Sequence, residues 1–248
     1  MSLPRQERIG MAKKQLDKTY YTSQKPRLLK DFDKNMGKYG RKVLSSKLGD
    51  DLGDIVLKEG RKEFESLIPK LPYIGGKKNP CTMYLIQSAW ALALYRALRN
   101  HGKTLEEAGK MVYDAVDLQI HSYPKFLLRL VGRWQISKST LRRQAAETQK
   151  RTYPQDWVAA FVEGDGGEFD FGIDFMECGI SKFLSTEGAD EFVPYLCLTD
   201  FAVSEAMGTG LVRTMTIGEG AEKCDFRYKR GREVKEGWPP QFLKSGGK

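Results

Sequence analysis

Apolar positions change period partway along the chain. From about Lys34 to Leu67 they fall at helical spacing, as at Met36, Val43, Leu44, Leu52, Val56 and Phe64. Gly49, Gly53 and Gly60 are places where this stretch divides into two helices, and Pro69, Pro72 and Gly75-Gly76 end it. Residues 82–99 are apolar almost throughout and predict a central buried helix that stops at Gly102. Thr104 and Glu107 form a capping-box pair that opens the next helix. A further helix is expected from about Lys125 into the 140s. The period then becomes two. Trp157–Val162 is a short apolar run, and Phe169, Phe171, Ile173 and Phe175 alternate with polar or small residues, as in a half-buried strand. Short helices are expected around Gly179–Leu184 and Val193–Met207. Two more strands, Val212–Ile217 and Lys223–Tyr228, are expected to be joined by a hairpin turn at 218–221.

Helices first and strands later argue for an α+β fold: an N-terminal helical half packed on a C-terminal antiparallel sheet with inserted short helices. The expected regions are a polar basic arm or short irregular helix at 1–30, a helical region at 31–150, an α+β region carrying the candidate site at 151–235, and a loop tail at 236–248.

Charge adds a second division. The formal net charge of +9 over 248 residues is unevenly spread. Residues 1–70 carry 17 basic and 10 acidic side chains, residues 71–150 carry 13 and 5, residues 151–221 carry 3 and 13, and residues 222–248 carry 8 and 4. A basic arm for nucleic acid is one reading. Two layers of one fold that attract each other is the favoured one, because no helix-turn-helix, RNP-like strand or Cys/His finger accompanies the charge. Nucleic acid is therefore not an expected partner. No apolar run approaches the ~20 residues of a bilayer span, and the first residues lack the apolar core of a secretory signal. A cytoplasmic protein without a membrane partner is expected, and a homo-oligomer stays open.

Candidate chemistry gathers late in the chain. No glycine pattern makes a phosphate loop, and the two histidines have no evident triad partners. Of four cysteines, Cys178 and Cys197 lie in the acidic, strand-containing segment and Cys224 just beyond it, in the last expected strand. Free thiols or ligands are expected rather than disulfides. Cys197 and Asp200 share a face if their stretch is helical. Cys178 sits where strand gives way to helix, a place that lowers thiol pKa values. Cys224 shares a strand face with Phe226 and Tyr228, opposite Asp225 and Arg227. Each of these cysteines also reads as a small buried apolar residue. A zinc site of Cys178, Cys197, Cys224 and Asp200 is chemically allowed, although the spacing gives it no specific support; no cofactor is otherwise expected. Arg213 reads either as a substrate clamp or as an ion-pair partner of Asp225 or Asp174.

The ordered set Cys178, Tyr195-Leu-Cys197-Leu-Thr-Asp200, Leu211-Val-Arg213-Thr-Met-Thr-Ile-Gly-Glu-Gly220 and Cys224-Asp-Phe-Arg-Tyr228 resembles the L-2-amino-thiazoline-4-carboxylic acid hydrolase family. The resemblance covers about residues 157–229. That family is similar in outline to the 4-vinyl reductase proteins of tetrapyrrole metabolism. The resemblance implies a small-molecule substrate and hydrolysis of a carbon–nitrogen bond in a small cyclic amidine or amide. In such a site Cys178 or Cys197 would be the nucleophile, with Asp200 as base or orienting group. Arg213 would bind the substrate carboxylate, and Cys224, Asp225 and Tyr195 would line the pocket. The alternative is a non-catalytic module that binds a tetrapyrrole or heterocycle, with or without a thiolate metal site.

Overall fold

The computed structural model describes residues 19–240. Helix α1 (Lys25–Phe32) starts inside the segment expected to be an arm or a short irregular helix and runs two residues past it. It opens with Pro26 in its first turn, where a missing N–H costs nothing, and buries Leu28, Leu29 and Phe32. A π turn at Asp33–Gly37 leads into α2 (Lys38–Leu48). Of the three candidate glycine breaks only Gly49 breaks the helix, at φ +82, a left-handed conformation that an L side chain resists. Helix α3 (Asp50–Leu67) follows, with Asp50 and Asp51 set against the positive end of its dipole.

Helix α4 (Cys81–Asn100) is the axis of the molecule, buried on nearly every side from Leu85 to Leu98. Phe32, Phe64 and Trp90 pack together around it, the first two rings stacked at 5.3 Å. Helix α5 (Leu105–His121) begins with both bonds of the expected capping box, Glu107 N–H to Thr104 Oγ1 at 3.2 Å and Thr104 N–H to a Glu107 carboxylate oxygen at 2.8 Å.

The single helix expected after Lys125 is two, α6 (Lys125–Gln135) and α7 (Lys138–Thr148). Ser137 between them accepts the Thr140 amide on its hydroxyl and caps the second.

The sheet has four strands, β1 (Val158–Glu163), β2 (Phe171–Glu177), β3 (Leu211–Val212) and β4 (Cys224–Tyr228), in the order β1-β2-β4-β3, all pairs antiparallel. This is the α+β architecture expected. Phe171, Ile173 and Phe175 stand opposite Tyr228, Phe226 and Cys224. Phe171, Ile173 and Tyr228 pack with Leu141 and Ala145 of α7, and with Leu198 and Phe201. Helices α8 (Gly179–Thr186), α9 (Val193–Cys197) and α10 (Thr199–Met207) fill the connection between β2 and β3.

The strand expected over Val212–Ile217 leaves the sheet after Val212. Asp225 draws the departing backbone inward, its carboxylate accepting the amides of Thr214 and Met215 at 2.8 Å each and the Thr214 hydroxyl at 2.7 Å. A 3₁₀ turn at Ile217–Glu219 replaces the expected hairpin.

The basic and acidic segments meet at specific points. Lys138 and Arg142 pair with Glu163, and Lys70 and Arg96 pair with Glu187. The Glu163 pairs are exposed, so solvent screens them and they add little to stability. They orient the layers rather than hold them together.

Candidate functional site

Four elements converge on one recess. The loop after β3 supplies Arg213. The α9–α10 junction supplies Cys197 and Asp200. The inner face of β4 supplies Cys224, Phe226 and Tyr228, and the strand-to-helix turn before α8 supplies Cys178. The N-terminal turn of α4 adds Cys81, which is close enough to feel Cys178, and Tyr84, which feels Asp200 and is felt by Tyr228.

Arg213 organises this group. Its Nη1 donates to an Asp200 carboxylate oxygen at 2.7 Å and its Nη2 to the Cys197 carbonyl at 3.1 Å. Its guanidinium lies 4.8 Å from the Phe201 ring centroid and 5.1 Å from that of Phe226, so two aromatic faces hold the cation. Burial alone would lower the Arg213 pKa, yet Asp200 and the nearby thiols hold it above its usual value. Its Nε is buried without a hydrogen-bond partner.

Helices α9 and α10 are separate, with Leu198 between them. Cys197 and Asp200 are nevertheless brought to the same arginine, because one offers its carbonyl and the other its carboxylate. Asp200 combines two properties. Its side chain is 43% accessible, while surrounding protein desolvates it enough to raise its pKa, against the pull of Arg213. Tyr84 has the same combination of accessible surface and a hydroxyl raised by burial. Accessible surface with interior-like solvation is the signature of a hollow, not of a convex face.

All four cysteines are free thiols. The lowered pKa expected for Cys178 is reversed. It caps α8, its Sγ accepting the Ser181 amide at 3.4 Å, yet burial outweighs that and pushes the thiol up to about 11. Burial likewise pushes Cys81 up to about 12 and Cys197 well above the usual range, although Arg213 opposes the shift at Cys197. Cys224 is raised by burial too, with the Ile217 amide donating to its sulfur at 3.2 Å. Among the described residues, no three His, Cys, Asp or Glu side chains are arranged to hold a metal ion. The donor set Cys178, Cys197, Cys224 and Asp200 therefore does not fit zinc as it stands.

Two expected site residues have other work. Asp225 faces away from Cys224 and ties down the 213–216 loop. Tyr195 is buried toward α5, its ring so close to Gly109 that a Cβ there would lie 2.7 Å from it. The expected ion-pair alternatives for Arg213 are not realised, because Asp174 bonds Arg227 at 2.7 Å and Lys223 at 2.5 Å on the opposite face of the sheet.

Two recess residues were absent from the sequence expectation, Cys81 and Tyr84. The signal was available in their spacing: three apart at the start of the longest apolar helix, they share a face. Tyr228 was already legible as a neighbour of Cys224 on its strand.

No curated protein and no solved structure gives a match to this chain. The family model for L-2-amino-thiazoline-4-carboxylic acid hydrolase matches residues 83–228, well over half the chain and every recess residue except Cys81. With its α+β fold and with the Cys197–Asp200, Arg213 and Cys224–Tyr228 segments assembled in one place, the chain belongs to the L-2-amino-thiazoline-4-carboxylic acid hydrolase family.

Proposed function

We propose that the protein hydrolyses a carbon–nitrogen bond in a small cyclic amidine or amide that carries a carboxylate, as a 2-aminothiazoline carboxylate does. One observation carries the reading: the Asp200–Arg213 pair is desolvated, yet Asp200 keeps accessible surface among several thiols. A carboxyl raised by burial is tuned toward proton transfer near neutral pH. Cys197 is the preferred nucleophile. It is partly accessible, and although burial holds its thiol well above the usual range, Arg213 pulls in the opposite direction.

In this scheme Sγ of Cys197 attacks the ring carbon between the heteroatoms while Asp200 accepts the thiol proton. The carbon–nitrogen bond then breaks as the nitrogen takes that proton, and water displaces the sulfur to free the enzyme. Arg213 uses one N–H of each terminal nitrogen for Asp200 and the Cys197 carbonyl, which leaves the second N–H of each as a donor for a substrate carboxylate.

The test is turnover of 2-aminothiazoline-4-carboxylate by Asp200→Asn and Cys197→Ala, with folding checked by circular dichroism. Each should lose at least ~100-fold in kcat. Two folded variants with undiminished turnover would overturn both roles. A second reading, a binding module without turnover, draws on the same raised thiols and the aromatic lining. It predicts saturable heterocycle binding with no product from the unmodified protein.

A further inference from the structure

Helix α6 has a composition that its place in the fold does not explain. Of its eleven residues, only Leu128 and Gly132 are buried. Gly132 lets the helix sit directly on α10, since a Cβ there would lie 2.8 Å from the Met207 carbonyl. With 100° per residue, the outermost line of the helix is then Phe126, Leu130 and Trp134. These are 71%, 64% and 68% exposed, and Leu127 and Val131 extend the apolar surface on one flank. Tyr123, just before the helix, is exposed as well. An apolar ridge of this size on a soluble fold marks an interaction surface.

The other flank identifies the occupant. Lys125, Arg129 and Arg133 recur every four residues beside the ridge, and the helix contains no Asp or Glu. None of the three forms an ion pair among the described residues. Arg230 adds a fourth exposed cation, fixed at the end of the helix by donating to the carbonyls of Arg133 at 3.1 Å and Ile136 at 3.4 Å. Some exposed cations elsewhere pair with acids, as at Lys138, Arg142 and Arg151, and others such as Lys62 and Arg143 do not among the described residues; what distinguishes this helix is that its cations flank an apolar ridge. Here four are left for a negative surface outside the chain. A second copy of this chain would bring the same four unpaired cations to the contact.

We propose that α6 lies in the interface of an anionic lipid bilayer, with Phe126, Leu130 and Trp134 between the headgroups and Lys125, Arg129, Arg133 and Arg230 against the lipid phosphates. A ridge of large apolar residues with a basic flank is how in-plane helices bind such surfaces. The expectation of no membrane partner rested on the lack of a spanning segment, and no described helix is long and apolar enough to cross. A helix lying in the interface needs no such length. The proposal is independent of the hydrolase reading.

The test is co-sedimentation of the full chain with vesicles of phosphatidylcholine alone or with about 30% phosphatidylserine, at about 0.1 M salt. Binding should be at least ~10-fold stronger to the anionic vesicles. Leu130→Glu with Trp134→Glu should abolish it. Arg129→Glu with Arg133→Glu should weaken it ~10-fold or more. All four side chains are exposed, so these variants should keep the unmodified thermal midpoint. Trp134 fluorescence should shift to the blue on binding.

Failure of the unmodified chain to sediment with anionic vesicles would overturn the proposal. So would binding that survives the Leu130/Trp134 change, which would make the association purely electrostatic. Sedimentation equilibrium showing a dimer dissolved by the same change, without vesicle uptake, would assign the ridge to a second copy instead.

Discussion

The two faces of the sheet each carry an arginine–aspartate pair, and their carboxyls shift in opposite directions. On the outer face Asp174 is only 13% accessible, yet two cations, Arg227 and Lys223, outweigh its burial and hold it below the usual range. On the inner face Asp200 has more accessible surface and one cation, Arg213, which is shared with the Cys197 carbonyl. Burial wins there, and the carboxyl is raised. The count of neutralising partners, and not accessibility alone, decides which carboxylate is structural and which is poised to take a proton.

The sharpest test of this contrast concerns the thiols that line only the inner face. With Cys178 pushed up to about 11 from an ordinary value near 9.0, its thiolate fraction near pH 8 is reduced ~100-fold. Iodoacetamide should therefore alkylate Cys178 ~100-fold more slowly in the folded protein than after denaturation, read by mass spectrometry of the labelled peptide. Rapid labelling of the native thiol would mean that the recess is far wetter than its geometry indicates. The same shifts predict loss of stability in alkali. Thiols whose folded pKa is raised keep their protons longer than in the unfolded chain, so their contribution is intact below pH 9.0. It disappears as pH rises through about 11 and 12. The urea midpoint should fall across that window, and less so in Cys81→Ala.

Next in size is removal of each arginine. Arg213→Met leaves the desolvated Asp200 without its cation and should cost about 2–3 kcal/mol, discounted from the 3–5 of a fully buried pair because Asp200 is partly accessible. Arg227→Met should cost about 1 kcal/mol or less, since Lys223 still serves Asp174. Urea denaturation of the two variants measures the difference, and equal costs would remove the distinction between the faces.

The smallest effect is one of sign. Asp174, lowered in the fold, contributes stability that is present above about pH 3.8 and lost as pH falls through its folded pKa. Asp200, raised in the fold, contributes in the opposite sense: its share is present below pH 3.8 and lost as pH rises through its folded pKa. Asp174→Asn should therefore flatten the rise of stability with pH on the acid side, and Asp200→Asn should steepen it. Thermal midpoints between about pH 3 and 6 would show both slopes, and slopes of the same sign would contradict the opposite shifts.

Periodicity made most elements visible in the sequence: the buried helix over Cys81–Asn100, the capping box at Thr104 and Glu107, and the alternating strand through Phe171–Phe175. It failed where a side chain from another element competes with the backbone ladder. Val212–Ile217 has the residues of a strand, but the Asp225 carboxylate takes two of its amides, and nothing local to that stretch announces it. Ser137 marks a helix start, but apolar positions continue on both sides of it and mask the break.

Residue type, local spacing and the family resemblance thus determined the two-part architecture and nominated Cys178, Cys197, Asp200, Arg213 and Cys224 as candidate site residues. These depend on short-range geometry and on motifs close together in the chain. Only the tertiary structure decided that Asp225 is a loop anchor, that Tyr195 turns toward α5, and that Cys81 and Tyr84 complete the recess from a helix nearly a hundred residues upstream of Cys178. It also decided the protonation of the thiols. A helix N-terminus favours thiolate, and a sequence can display one, but desolvation depends on every atom packed around the sulfur and overrides it.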